Sequence, residues 1–114
     1  MSRMGAIAFI GAGGHHHEFD LYPLTAHFKP GHGGVYFVTC RTDDEHGHHT
    51  HHKIFIGETP DLSTLLDNHP KQALFEAEGA NCIAIHASQD AKARTRIVAE
   101  LIEKYNPPGN TDEP

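Results

Sequence analysis

A chain of 114 residues supports one small domain, because two separate cores would each fall below the size at which apolar burial outweighs chain entropy. Apolar residues at 38% suffice for a core, while eleven Gly and seven Pro imply a loop-rich architecture; no run approaches about eighteen apolar residues, which excludes a membrane-spanning helix and predicts a soluble chain. Nine Lys and Arg against fifteen Asp and Glu give a formal charge of −6, a sign that gains nothing from the counterion release behind non-specific nucleic-acid binding.

Residues 6–10 read as a strand, because the apolar run after Arg3 is too short, and too broken by Gly5 and Gly11, for a secretory leader. The glycines at 11, 13 and 14 give a turn rather than a dinucleotide loop, since His16 stands where the last Gly of that motif belongs. Three consecutive imidazoles, His15, His16 and His17, point in different directions and read as a solvated loop. Alternation of Phe19 and Leu21 suggests a short edge strand ended by Pro23. Residues 35–40 and 53–57 are rich in β-branched and aromatic side chains and predict a hairpin, with residues 41–52 projecting beyond it as a loop or an extended ribbon. Asp61 is placed to cap a helix carrying Leu62, Leu65 and Leu66 and stopping at Pro70. A short helix over residues 71–78 closes at Gly79, residues 81–86 form a third strand, and Asp90 caps the longest helix, whose stripe is Ile97, Val98, Leu101, Ile102 and Tyr105. Pro107 and Pro108 end it. The class is α+β.

The segment 34–110 resembles the GIY-YIG nuclease domain. Gly34-Val35-Tyr36 stands for one signature strand, Phe55-Ile56-Gly57 for the other, residues 61–69 for the first helix, and residues 101–110, ending Asn106-Pro107-Pro108-Gly109-Asn110, for the closing helix and tail. The resemblance implies a small three-stranded antiparallel sheet flanked by helices; the strand-like, Gly- and His-rich extension over residues 1–33 and the tail over 111–114 lie outside it. It also implies a site in which a Glu holds one divalent cation, an Arg clamps the phosphate, and Tyr and His groups handle protons on the attacking water. Tyr36 and His69 match two of those positions as catalytic candidates. Phe55 replaces the second Tyr, Leu65 occupies the Arg position and Val98 the Glu position, while Glu100 falls about 200° round the helix from Val98 and is expected on the solvent side with Arg96 and Glu103. Losing the carboxylate and the guanidinium together forfeits most of the electrostatic stabilisation of the reaction. The expectation is a non-catalytic domain of this type; a divergent metal-dependent DNA endonuclease is the alternative.

Between the two signature strands lies an insertion, residues 41–52, in which His46, His48, His49, His51 and His52 crowd five imidazoles into seven positions. Borderline divalent cations such as Zn or Ni favour neutral imidazole, and i, i+2 pairs put two ligands on one face of an extended ribbon, with Asp43, Asp44 and Glu45 able to add oxygens. These five His are the candidate metal ligands. Protonation of all twelve His would reverse the sign of the chain's charge, so contact with a nucleic-acid or protein partner at the ribbon is expected to depend on metal and pH. Metal storage or delivery is a third reading. Only Cys40 and Cys82 are present, which favours a reducing, cytoplasmic setting; on neighbouring strands they would lie at the same end of the sheet as the ribbon, open to a Cys/Cys/His/His zinc site or buried as small apolar groups.

Overall fold

Five segments of alternating or continuous apolar character pair into one sheet in the structure, a computed structural model that describes residues 3–67 and 69–110. They are β1 (Gly5–Ile10), β2 (His16–Pro23), β3 (Gly34–Asp43), β4 (His49–Thr59) and β5 (Cys82–Ala87), in the order β1-β2-β5-β3-β4 with every neighbour antiparallel. The sheet therefore has five strands, not three. Strands β3, β4 and β5 form the expected set, and the hairpin of β1 and β2 extends it through pairing of β2 with β5, from Asp20 opposite Ile85 to Pro23 opposite Cys82. β2 is an inner strand rather than an edge; Pro23 is tolerated because it is the last residue of the strand. The sheet curls, so Lys53 of β4 reaches over the Phe9 ring of β1, with Nζ 5.7 Å from the ring centre.

Both faces are covered, which explains why β3 reads as a continuous apolar run rather than an alternating one. Against one face, Ile97 and Leu101 of helix α2 (Ala91–Tyr105) meet Phe9, Phe19, Leu21, Val35, Phe37 and Ile56. On the other face, Tyr36, Val38, Ile54, Ile83 and Ile85 pack with Leu62, Leu65 and Phe75, the last from helix α1 (Gln72–Ala77). Asp90 caps α2 by accepting from the Lys92 amide, and Asn106 ends it in the left-handed conformation.

The helix expected over residues 61–69 is replaced by a 3-10 turn at Leu62–Thr64. Asp61 caps as predicted, taking both the amide and the hydroxyl of Ser63, but Ser63 and Thr64 add little helix propensity and the leucines reach the core without a second turn. Cys40 and Cys82 do sit on neighbouring strands, Cys82 packing in the cluster under α2 and Cys40 against the cluster on the other face. The tail over 111–114 lies outside the described residues. Among the described residues no helix is long and apolar enough to cross a membrane.

Candidate functional site

Tyr36 projects from β3 onto the face covered by the 62–67 turn and α1, where its Oη lies 2.8 Å from His69 Nε2. The two side chains that the resemblance singles out are thus brought together. Gly57 makes this possible: a Cβ there would stand 2.7 Å from Tyr36 Oη, so the cross-strand partner of Tyr36 has to lack a side chain. Phe55 and Phe75 pack their rings against His69 with centres 5.1 and 4.9 Å away.

The hydrogen bonds of His69 fix its tautomer. The Lys71 amide donates to His69 Nδ1 at 3.0 Å, so the ring proton of neutral His69 sits on Nε2 and is donated to Tyr36 Oη. Burial, with a smaller effect of Lys71, holds His69 below the ordinary imidazole range. Burial and then the Glu58 carboxylate push Tyr36 up to about 12. The pair is a neutral phenol against a neutral imidazole whose single lone pair is already taken.

Leu65 is buried beside this pair. Val98 packs on α2 against the opposite face of the sheet, so the five positions carried over from the resemblance do not all surround one point. Glu100 is not on the solvent side: its carboxylate turns toward the β1–β2 turn, 2.9 Å from His15 Nδ1 and 3.6 Å from His17 Nε2, and the His15 bond keeps it below the usual carboxylate range. His15 and His17 therefore have a partner that a solvated loop would lack.

One charged pair escaped sequence reasoning. Arg94 is 5% exposed; its Nε donates to Glu58 at 2.8 Å and its Nη1 to the Ser88 carbonyl at 3.0 Å. The signal was the helical spacing, since Arg94 lies one turn before Ile97 on the buried stripe. Glu58 stands opposite Val35, on the α2 face, so this arginine and carboxylate tie helix to sheet and do not meet the Tyr36 hydroxyl.

The 41–52 insertion is an extended ribbon, in register from Thr39 opposite Lys53 to Asp43 opposite His49. At its tip Asp44 Oδ1 accepts from the His46 and His48 amides, while Oδ2 lies 3.2 Å from His48 Nδ1. His46 and His48 have ring centres 6.3 Å apart. His49 and His51 face Arg41 instead, whose Nη2 lies within hydrogen-bonding distance of both His49 ring nitrogens. Burial, then Arg41 and Lys53, lower the His51 imidazole. His52 is 3.5 Å from Glu78. The five imidazoles thus divide into three environments, and no cluster of three or more His, Cys, Asp or Glu able to hold a metal is preassembled among the described residues. Comparison of the chain with family models, with curated proteins and with solved structures finds no match.

Proposed function

We propose that the chain is a non-catalytic, GIY-YIG-like binding module whose His-rich ribbon takes a divalent transition cation and thereby controls contact with a partner. The observation that carries the non-catalytic reading is the proton state of the Tyr36–His69 pair. A general base needs a free lone pair and a nucleophile-activating group a pKa near the working pH. His69 has its lone pair on the Lys71 amide, and Tyr36 is pushed up to about 12. Leu65 and Val98 supply neither phosphate clamp nor metal anchor.

The metal reading is supported best at the ribbon tip. Two imidazoles on one tetrahedral zinc, with Zn–N bonds of about 2.0–2.1 Å, have ring centres roughly 5 Å apart, so His46 and His48 need only rotate their exposed rings to share an ion. Asp44 and Glu45 offer oxygens beside them. His49 and His51 face the Arg41 guanidinium, which opposes a second cation there. A bound Zn or Ni would offset part of the −6 charge at the exposed tip of the ribbon, and this makes nucleic acid the first partner to test.

The test has three arms on chelator-stripped protein. Zinc titration should reach one site per chain in the wild type and vanish in a His46→Ala/His48→Ala variant. Labelled DNA should bind only with metal, and binding of a protein partner alone would redirect the partner assignment. Plasmid nicking with Mg, Mn, Zn or Ni that disappears in Tyr36→Phe would overturn the non-catalytic reading.

A further inference from the structure

A separate cavity of about 250 Å3 lies between β1 and the β3–β4 ribbon, with Met4, Ile7 and Leu21 along one side and Arg41, His49 and His51 along the other. Three basic side chains facing one cavity is an unusual concentration in a chain of formal charge −6. Lys53 stands beside them, its Nζ 3.3 Å from the His51 carbonyl oxygen and 4.9 Å from the centre of the Tyr105 ring. The carboxylate facing them is Asp43, an exposed residue hydrogen bonded to His49 and 3.4 Å from Arg41 Nε. Arg41 Nε is buried on the Asp43 side and Nη2 faces His49, so the guanidinium is held in place at the cavity wall by its own neighbours.

The basic groups are also positioned in advance. Asn81 grips the Arg41 backbone from both sides, its Oδ1 accepting from the Arg41 amide at 2.7 Å and its Nδ2 donating to the Arg41 carbonyl at 3.0 Å. His51 Nδ1 is engaged by the Thr39 hydroxyl at 2.9 Å, which leaves Nε2 for another partner. We propose that this cavity binds a small organic carboxylate, with its oxygens on Arg41 and His51 and its apolar body against Met4, Ile7 and Leu21. A planar guanidinium matches a carboxylate in bidentate fashion, and the apolar wall distinguishes a branched or aliphatic acid from a bare inorganic anion. The site uses neither the Tyr36–His69 pair nor the ribbon-tip imidazoles.

Amide and guanidinium NMR shifts of the metal-free full chain, titrated with isobutyrate, acetate and inorganic phosphate at constant ionic strength, test this. The expected result is saturable movement of the Ala6, Ile7 and Arg41 signals by isobutyrate, tighter than by acetate or phosphate, and weakened about tenfold or more in Arg41→Gln, which loses a charge-assisted bond. The His46→Ala/His48→Ala variant should bind isobutyrate as the wild type does, so loss of metal binding and loss of carboxylate binding are read independently. Absence of saturation, shifts that chloride reproduces, binding undiminished in Arg41→Gln with an unchanged unfolding midpoint, or phosphate binding tighter than isobutyrate would overturn the proposal.

Discussion

Lys71 donates its amide to His69 Nδ1, and that bond sets the tautomer of the Tyr36–His69 pair, while burial sets its response to pH. Tyr36 has a folded value raised from 10.0 to about 12, so the stability it contributes is complete below pH 10 and is lost as pH rises from 10 toward 12. His69 and His51 are shifted the other way; their contributions are complete above the ordinary value of 6.5 and are lost as pH falls below it. Urea midpoints across pH should therefore drop on both flanks. Tyr36→Phe should flatten the alkaline flank, and His69→Gln, which can still donate to Tyr36, should flatten part of the acid flank and leave the share due to His51. Identical slopes in wild type and variants would show that neither group is perturbed.

Arg94 tests a different residue-scale claim. Its removal leaves Glu58 and the Ser88 carbonyl without their partner, and Arg94→Met should lower stability by about 2–3 kcal/mol, less than the roughly 3–5 kcal/mol of a fully buried broken pair because Glu58 is partly exposed. Equilibrium urea unfolding measures it, and a loss under about 0.5 kcal/mol would mean the pair is replaceable by packing alone. The sequence placed Tyr36 and His69 in the same neighbourhood through a motif, yet could not show the tautomer, which depends on a backbone amide two residues away. It missed Arg94 because an arginine on an apolar stripe looks like a break in the stripe until its partner on another strand is known.

At the scale of elements, strand and helix identity followed from alternation and capping, whereas the devices that finish the sheet did not. Asn110, in the 3-10 turn at Pro108–Asn110, pairs with both the amide and the carbonyl of Ile56 at 2.8 Å, so a side chain takes the place of a sixth strand along part of the β4 edge. Asn81 does the same for Arg41. Neither could be read from propensity, because an Asn one or two residues after a Gly signals a turn whatever its side chain grips. Gly109 permits the approach, since a Cβ there would stand 2.7 Å from the Ile54 carbonyl oxygen. Asn110→Ala should cost about 1–2 kcal/mol for two lost hydrogen bonds to a partly buried strand. It should also increase concentration-dependent association by opening an edge. Chemical denaturation and sedimentation velocity read the two effects separately, and no change in either would mean water replaces the side chain fully. The first helix failed for the opposite reason: leucines at three-residue spacing fit one 3-10 turn as well as an α-helix, and no length of good helix former followed to choose between them.

For the whole molecule, the decisive unread feature is that β1 and β2, between residues 5 and 23, belong to the same sheet as the rest. Alternation predicted a strand-like extension, but local pattern carries no information about which distant strand supplies the partner, and β5 lies some sixty residues away along the chain. The consequence for cooperativity is specific. Phe9, Phe19 and Leu21 belong to the core under α2; Phe9 and Phe37 have ring centres 4.7 Å apart, and Phe19 is fully buried. Removing residues 1–23 would therefore strip three large side chains from one of two cores and expose the β5 edge at once, a loss beyond the total stability of an ordinary small domain. A chain starting at residue 24 should show no cooperative thermal transition and should bind a hydrophobic dye, while the full chain unfolds in one step seen alike by far-ultraviolet circular dichroism and by tyrosine fluorescence. A truncated chain that melts cooperatively would instead make the hairpin an accessory to an autonomous domain over residues 34–110.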